Sequence, residues 1–511
     1  MSADSDTSQV PPYQPQESGR EVEPRPYGLG QRLGLVLGAL AFGVMLMAPP
    51  PEGLSAAGWQ TAAVGVLMAV WWMTEALPIA ATSLLPLVLL PVLQTRTIGE
   101  AAAPYANPLI FLFMGGFIIA LGMERWGLHR RIALNVIRAI GTRPRSIVFG
   151  FMLSGAFLSM WVSNTATAVM MLPIGLSVIG LAKGQEASQA RAFGTALMLG
   201  IAYGCSIGGV GTLVGTPTNA VLAGFMDEAY GFEIGFAQWM LVGVPLVVVG
   251  LPVVFVVLTR VAFPIRFNEL PGGRALIREE LRKMGGLSRP EASVLVVFVA
   301  VALAWIFRPL LADVIPGLND AGIAMAGAVA MFIVPVNLAR GRFLLNWEEA
   351  EALPWGVLLI FGGGLSLASA ISATGLATWL GEALSGAGTL PIAGLVLVVS
   401  LSVVFLTELT SNTATAAAFL PIMASVALGI GENPLLLAIP AVVAASCAFM
   451  LPVATPPNAI VYGSGAIRIQ QMARAGIILN LIFVVFVTIL TMTIALWAFD
   501  IELGIVPSWA G

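Results

Sequence analysis

Long apolar runs recur along the chain from Leu33 to Trp497. They provide the roughly 20 consecutive residues that an α-helix needs to cross a hydrocarbon layer about 30 Å thick. The alternating segments of about 10 residues that are typical of a transmembrane β-barrel are absent from the sequence. The pattern therefore predicts an all-α, polytopic membrane protein without a soluble domain larger than a linker.

The amino-acid composition agrees with this prediction. Of the 511 residues, 58% are hydrophobic and 10% are charged, whereas soluble proteins are about 45–50% apolar and about 25% charged. A soluble protein of this length would need more charged side chains to cover its surface, so the remaining surface is expected to face lipid. The basic residues are confined to short loops, which is not the pattern of a nucleic-acid-binding face.

The distribution of charge and proline divides the chain into four segments. Residues 1–30 are polar and proline-rich and are predicted to form a disordered cytoplasmic tail. Residues 31–259 and 291–511 are predicted to be two transmembrane halves, joined by a basic amphipathic linker at residues 260–290. By the positive-inside rule, this linker and the basic stretch Arg125–Arg145 face the cytoplasm, as does the N-terminus.

The two halves share two sequence motifs. Ser163–Ala168 (SNTATA) recurs as Ser411–Ala416, an offset of 248 between positions 163 and 411. Farther along, Gly215–Asn219 (GTPTN) corresponds to Ala454–Asn458 (ATPPN). Internal duplication with helix-breaking residues at matching places predicts a transporter whose binding site lies at the repeat interface near the membrane midplane.

The repeated motifs offer uncharged groups for both anions and cations. If the helix breaks at Ser163 and Asn164, the helix that follows presents free N–H groups and a positive dipole end to a carboxylate. The helix that ends there presents carbonyls, which together with the oxygens of Ser159, Ser163 and Asn164 suit a monovalent cation. The second copy offers Thr407, Ser411 and Asn412, so two cation sites are predicted to flank one anion site. The alternative is that these side chains only bond neighbouring helices or their own backbone.

Two glycine runs lie upstream of the SNT triplets, at Gly115–Gly116 and Gly362–Gly364. Glycine permits either close packing between helices or the tight bend of a re-entrant hairpin. The position upstream of each triplet favours the hairpin.

Few ionisable residues interrupt the apolar runs. Glu75 and Glu408 are functional candidates because a carboxylate inside a membrane is costly; Glu408 could tune a cation site, carry a proton or serve as scaffold. Cys205 and Cys447 are predicted to be small core residues. His129 lies among arginines and is predicted to occupy a solvated interfacial position, so histidine catalysis and a zinc site are nearly excluded. Since neither motif contains arginine or lysine, a bound dianion would need co-bound sodium to offset its charge.

Three segments, Ser159–Pro173, Thr407–Pro421 and Leu451–Asn458, resemble the signature sequences of the divalent anion/sodium symporters. This family includes bacterial dicarboxylate carriers and animal sodium-dicarboxylate, citrate and sulfate cotransporters. The resemblance implies a homodimer with about 11 transmembrane helices and two re-entrant hairpins arranged as an inverted repeat. It also implies an elevator-type movement of a transport domain against a scaffold.

The resemblance assigns roles to individual residues. The first sodium site would comprise Ser159, Ser163, Asn164 and the backbone at Gly215. The second would comprise Thr407, Thr410, Ser411, Asn412 and the backbone at Ala454. Substrate carboxylates would contact Asn164, Thr165, Asn412 and Thr413, with Thr216, Pro217, Thr455 and Pro456 closing the site. No cofactor and no metal other than sodium is expected.

The function expected from these features is sodium-coupled import of C4-dicarboxylates such as succinate, malate or fumarate across the inner (cytoplasmic) cell membrane. A dicarboxylate exchanger and a sulfate or citrate carrier of the same family are the alternatives. A membrane-embedded enzyme is disfavoured because only Glu75, Glu408 and uncharged hydroxyls are available for catalysis. A channel is disfavoured because broken helices that grip a carboxylate suit occlusion better than rapid flow.

Overall fold

A computed structural model describes residues 28–312, 314–383 and 390–510. Within these ranges the chain is helical apart from short connections and one small β-hairpin. Residues 1–27 of the predicted N-terminal tail lie outside the described residues, and the first helix already begins at Leu29.

The helices of the first half and the linker occur in the following order. They are α1 (Leu29–Met47), α2 (Ala56–Thr74), α3 (Ile79–Thr82), α4 (Leu85–Val92), α5 (Ile98–Ala102), α6 (Pro108–Arg125), α7 (Leu128–Ile140), α8 (Pro144–Ser159), α9 (Asn164–Gly180), α10 (Ala187–Val210), α11 (Pro217–Tyr230), α12 (Phe236–Val256) and α13 (Gly273–Lys283). A π-helical turn, Val257–Ala262, extends α12.

The second half begins after the linker. Its elements are α14 (Arg289–Ile306), α15 (Arg308–Ala312), α16 (Asp320–Ile333), β1 (Pro335–Asn337), β2 (Arg342–Phe343), α17 (Trp347–Ala350), α18 (Trp355–Ala373), α19 (Leu376–Ala383), α20 (Ile392–Thr407), α21 (Asn412–Gly429), α22 (Leu435–Ala445), α23 (Pro456–Gly463), α24 (Ile469–Leu490) and α25 (Leu496–Ala498). Strands β1 and β2 pair antiparallel.

Eight helical segments in the described residues are long and apolar enough to cross a membrane. They are Leu29–Met47, Ile98–Arg125, Ala187–Val210, Phe236–Ala262, Arg289–Ile306, Trp355–Ala373, Asn412–Gly429 and Ile469–Ala498. Several shorter apolar helices, among them α9, α20 and α22, belong to motifs in which the chain reverses or breaks. The predicted all-α, polytopic membrane fold is therefore confirmed.

The first SNT motif forms the tip of an antiparallel helical hairpin made by α8 and α9. A Cβ atom built on Gly155 would lie 3.5 Å from Met171 Sδ, and one built on Gly175 would lie 3.8 Å from Phe151 Cε1. Both pairs are arranged symmetrically about Ser163, so the chain reverses there. A helix therefore ends before Ser163, as expected, and the next helix returns alongside it instead of continuing in the same direction. Helices α20 and α21 flank the second motif in the same way along the chain.

The helices that are interrupted along their length carry the GTPTN and ATPPN motifs. Helix α10 breaks before α11, and α22 breaks before α23. The final asparagine of each motif holds the break together. Asn219 Nδ2 donates to the carbonyl oxygens of Val210 (3.1 Å) and Thr212 (2.8 Å), and Asn458 Nδ2 donates to those of Ala448 (3.2 Å) and Leu451 (3.1 Å). These bonds satisfy backbone groups that the break would otherwise leave without partners.

The glycine runs are not hairpin bends. Gly115 and Gly116 lie inside the unbroken helix α6, and Gly362–Gly364 lie inside α18. A Cβ on Gly115 would lie 2.6 Å from the carbonyl carbon of Ala324, and one on Gly363 would lie 2.3 Å from the carbonyl oxygen of Ser83. The hairpin interpretation was therefore wrong, because these glycines allow close helix packing.

The packing between the halves is reciprocal. Helix α9 of the first hairpin packs against α23 of the second broken helix, and α21 of the second hairpin packs against α11 of the first. Likewise, α10 packs against α23, and α22 packs against α11. Every residue of the most apolar stretch of α10 is buried. This exchange of contacts brings the four motifs to one place in the core.

Candidate functional site

A cavity of about 570 Å³ lies where the two hairpin tips meet the two helix breaks. Its lining includes, from the first half, Ser163, Asn164, Thr165, Gly215, Thr216 and Pro217. From the second half it includes Ser411, Asn412, Thr413, Ala454, Thr455 and Pro456. The structure therefore brings together all the sequence-predicted site residues except Ser159, Thr407 and Thr410, which lie outside this lining.

Four helix N-termini converge on the cavity. Asn164 begins α9, Pro217 begins α11, Asn412 begins α21 and Pro456 begins α23, and all four residues line the cavity. A helix N-terminus carries partial positive charge and N–H groups without intrahelical acceptors. The arrangement therefore makes a site for an anion from backbone alone.

The ionisable lining of the cavity is sparse. Among the described residues that line it, none is arginine, lysine or histidine, and the single carboxylate is that of Glu124 on α6. The anion site consequently depends on helix dipoles, amides and hydroxyls for its positive potential.

Some of the N–H groups at these helix N-termini already donate hydrogen bonds to capping side chains. Ser163 Oγ accepts from the N–H of Ala166 at 3.1 Å, and Thr455 Oγ1 accepts from that of Asn458 at 3.3 Å. The side chain of Ser411 makes no such cap. The N–H groups of Thr165 and Thr413 lie in the first turns of α9 and α21, where no intrahelical acceptor exists, so they are available to a bound anion.

Uncharged oxygens crowd together beside the first hairpin tip. A Cβ on Gly215 would lie 2.4 Å from the carbonyl oxygen of Gly209 and 2.8 Å from that of Ser159. A Cβ on Gly209 would lie 2.8 Å from Asn164 Oδ1 and 2.9 Å from the carbonyl oxygen of Gly215. The absence of a side chain at these two glycines lets the oxygens approach one another.

Two of the buried polar atoms near this cluster, the Ser159 hydroxyl and Asn164 Oδ1, have no hydrogen-bond partner among the described residues. A buried polar atom without a partner is costly unless a ligand satisfies it. The donor set of carbonyls, a hydroxyl and an amide oxygen suits a monovalent cation. Gly209 was missed by the sequence reasoning, although the Gly208–Gly209 pair at the end of an apolar helix offered a signal.

The equivalent region beside the second hairpin tip is more fully bonded. Thr407 Oγ1 lies 2.6 Å from Asn412 Oδ1 and 2.9 Å from the carbonyl oxygen of Ala445. Thr410 Oγ1 lies 3.0 Å from the Leu406 carbonyl oxygen and 2.6 Å from Thr415 Oγ1. The hydroxyls of Thr407 and Thr410 are therefore engaged within the protein, whereas that of Ser159 is not.

Glu408 anchors the break between α22 and α23. Its Oε1 accepts hydrogen bonds from the N–H groups of Phe449 (2.6 Å) and Met450 (2.8 Å), and its Oε2 accepts one from Leu451 (3.0 Å). Asn480 Nδ2 also donates to Oε1 at 2.8 Å. Of the three roles open to Glu408, the geometry supports that of scaffold, since its partners are three backbone N–H groups and the Asn480 side chain.

Glu75 does not line the cavity. It is exposed at the C-terminal end of α2, where it adopts a left-handed conformation with φ of 49°. A functional role for this carboxylate therefore stays a prediction that the cavity does not involve.

The remaining reactive side chains also lie apart from the cavity. His129 is half-buried, with Nδ1 3.0 Å from the Met123 carbonyl oxygen, and burial lowers the pKa of its imidazole. It is thus less solvated than predicted. Cys205 and Cys447 are buried free thiols, as expected for core residues.

Comparison with known proteins identifies close relatives over almost the whole chain. Residues 31–501 match the family described as "Sodium:sulfate symporter transmembrane region". The sodium-dependent dicarboxylate transporter SdcS of Staphylococcus saprophyticus is 46% identical over 480 residues, which cover 91% of this chain and 92% of that protein. SdcS of Staphylococcus aureus strain USA300 is 45% identical over 491 residues, which cover 94% of each.

Two solved structures share the fold at low sequence identity. The YdaH transporter of Alcanivorax borkumensis superposes with a TM-score of 0.56 at 15% identity, covering 92% of this chain and 97% of that one. MtrF of Neisseria gonorrhoeae superposes with a TM-score of 0.57 at 14% identity, covering 92% and 95%. These similarities concern the fold alone.

Proposed function

We propose, from the premise that this chain belongs to the sodium:sulfate symporter family, that it imports C4-dicarboxylates together with sodium ions. Members of this family are transporters rather than enzymes. The relatives SdcS are named sodium-dependent dicarboxylate transporters. Succinate, malate and fumarate are the substrates that we assign to the site.

The observation that carries the proposal is the meeting of four helix N-termini at one cavity without a basic side chain. Each repeat supplies one hairpin tip. A dicarboxylate has two carboxylate groups, so each tip can bind one of them. In this proposal, Asn164 and Thr165 bind one carboxylate, and Asn412 and Thr413 bind the other. The Thr-Pro pairs of the two breaks, Thr216–Pro217 and Thr455–Pro456, close the site around the substrate.

The sodium ions occupy positions behind the hairpin tips. The first is bound by Ser159, Ser163, Asn164 and carbonyls near Gly215, where two buried oxygens have no hydrogen-bond partner among the residues that the structure describes. The second is bound by Thr407, Ser411, Asn412 and carbonyls near Thr410 and Ala454. Each asparagine would then contact an ion through its side chain while its helix contacts substrate, so ion binding would set the position of the anion site.

The surrounding assembly completes the proposed mechanism. The protein would lie in the cell membrane as a homodimer with a cytoplasmic N-terminus. The hairpins and broken helices would move together against the remaining helices in an elevator motion. A transporter of this kind would drive uptake with the inward sodium gradient.

Uptake of labelled succinate into proteoliposomes tests this proposal. Wild-type protein should accumulate succinate only with an inward sodium gradient, and Asn164→Ala and Asn412→Ala should each abolish accumulation. Asn135→Ala is the matched control, since the Asn135 amide on α7 bonds its own helix at the Arg131 carbonyl and does not line the cavity. Normal transport by both cavity variants would refute the site assignment, and sodium-independent uptake would indicate an exchanger. Competition by malate, fumarate, citrate and sulfate would then rank the substrates.

A further inference from the structure

A second groove lies far along the first hairpin from its tip, where α7 ends, α8 begins and α12 approaches the linker. Its volume is about 530 Å³. Three arginines line it, namely Arg143, Arg145 and Arg260. Its walls include the rings of Phe149 and Phe255, which contact edge-to-face with centroids 5.2 Å apart. The groove therefore combines positive charge with aromatic surface.

The three guanidinium groups have no acidic partner. None of them forms an ion pair within the part of the chain that the structure describes, and no aspartate or glutamate lines the groove. Arg145 is held in place, because its Nε and Nη2 donate to the Ile265 carbonyl oxygen at 3.1 and 2.6 Å. Three neighbouring cations without a counter-charge create a strong local attraction for an anion.

An exposed apolar stripe leads along α12 to this cluster. Val249, Pro252 and Val256 are exposed at helical spacing on α12, and Arg260 follows in the π-helical turn that extends it. In a membrane-spanning helix such a stripe faces acyl chains, and an arginine at its end marks the boundary with the headgroups. The groove thus combines a hydrocarbon-facing side with a cationic rim.

We propose that this groove binds an anionic phospholipid. The phosphate would be bound by Arg143 and Arg260 beside the fixed guanidinium of Arg145, and the acyl chains would run along Val249 and Val256. Basic pockets between transmembrane helices on the cytoplasmic side bind phospholipid headgroups, and the positive-inside rule puts this arginine-rich end in the cytoplasmic leaflet. A free phosphate would use the rim but not the apolar stripe, so the lipid accounts for both.

Native mass spectrometry of the full-length protein in a neutral detergent tests the proposal, with phosphatidylglycerol and phosphatidylcholine as probes. The double variant Arg143→Gln/Arg260→Gln should bind phosphatidylglycerol roughly thirtyfold more weakly than wild type, given the usual contribution of each arginine at an anionic surface. The matched control is Arg138→Gln/Arg278→Gln. It removes two exposed arginines from α7 and α13, which lie outside the groove and form no ion pair among the described residues. It should bind like wild type.

Four outcomes would overturn the assignment, three of them in the comparison of variants and lipids. The first is that wild type and the groove variant bind phosphatidylglycerol equally well. The second is that the control variant loses as much affinity for phosphatidylglycerol as the groove variant does. The third is that wild type binds phosphatidylcholine as tightly as phosphatidylglycerol. Displacement of phosphatidylglycerol by millimolar inorganic phosphate would also overturn it, because a free anion would then be the ligand. The single variant Arg260→Gln, measured in parallel, should show an intermediate loss, and sodium-driven uptake verifies that each variant is folded.

Discussion

Ser159 and Thr407 occupy equivalent positions in the two repeats, yet their hydroxyls have different surroundings. That of Ser159 is buried without a hydrogen-bond partner among the described residues, whereas that of Thr407 contacts Asn412 Oδ1 and the Ala445 carbonyl oxygen. The polar neighbour of the Ser159 hydroxyl is the Cys205 thiol, a weak hydrogen-bonding group, so the hydroxyl stabilises the ion-free protein little. Its contribution is therefore expected only when an ion binds.

Substitution of these two hydroxyls should consequently have different effects. Ser159→Ala should weaken sodium binding roughly tenfold while changing the free energy of unfolding in sodium-free buffer by less than about 0.5 kcal/mol. Thr407→Val should lower that free energy by about 1–3 kcal/mol, because it removes bonds that exist without the ion. Sodium titrations monitored by thermal unfolding measure both quantities. Equal destabilisation by the two variants in the absence of sodium would contradict this expectation.

The carboxyl of Glu124 lines a cavity that we assign to a dianion, and its ionised form carries the same sign of charge as the substrate. Like charges in a poorly solvated space repel, so Glu124→Gln should increase the affinity for succinate several-fold at saturating sodium. Glu75→Gln is the matched control, since it neutralises an exposed carboxylate outside the cavity and should leave the affinity unchanged. Isothermal titration with succinate provides the measurement. Weaker binding by Glu124→Gln would mean that this carboxylate stabilises the site instead of opposing the anion.

At the scale of elements, the second helix break depends on one carboxylate that the first break lacks. Glu408 accepts three backbone N–H bonds at 449–451, and the equivalent position in the first half is Met160. Glu408→Gln should lower the free energy of unfolding by about 2–4 kcal/mol, because both carboxyl oxygens accept hydrogen bonds and the amide replaces one of them with a donor group. Glu432→Gln is a suitable comparison, as Glu432 Oε2 accepts a bond from the N–H of Gly504 at 2.9 Å. Thermal unfolding of the two variants in detergent should show the larger loss at Glu408.

The positions of the helix ends were predictable from sequence, but the direction that the chain takes after each end was not. Serine and asparagine in duplicate marked Ser163 and Ser411 as places where helices stop. Hydropathy alone does not distinguish a helix that continues after a break from one that reverses, because both arms are apolar. The difference lies in contacts across the hairpin, such as that between Gly155 and Met171, which depend on packing in three dimensions.

The same limitation explains the error at the glycine runs. Gly115 and Gly363 were interpreted from their place upstream of the triplets. These positions must be glycine because Ala324 and Ser83, which are distant in sequence, pack too closely to leave room for a side chain. The residues predicted from the duplicated motifs and the family resemblance line one cavity, apart from Ser159, Thr407 and Thr410. The carbonyls of Gly209 and Ala445 were not predicted, because every residue has a backbone carbonyl and the residue type does not show which ones face the site.

At the scale of the whole molecule, the two halves form the site by exchanging contacts. The hairpin of each half packs on the broken helix of the other, so neither half encloses the cavity alone. The four N-termini together supply about two units of positive charge, at roughly half a unit each. This equals the charge of a dicarboxylate and leaves no surplus to balance the Glu124 carboxyl of the cavity lining when it is ionised. Co-bound cations are the remaining source of positive charge in this proposal.

Sodium and dicarboxylate should therefore bind cooperatively, and the coupling must be reciprocal. The factor by which saturating sodium raises succinate affinity should equal the factor by which saturating succinate raises sodium affinity. We expect at least tenfold in each direction, because a neutralising ion close to the anion in a poorly solvated site contributes more than about 1.4 kcal/mol. Isothermal titrations of each ligand at low and saturating concentrations of the other complete the cycle, with potassium as the control cation. Succinate affinity that does not depend on sodium would show that the helix N-termini alone hold the dianion, and coupling would then have to arise from the movement between states.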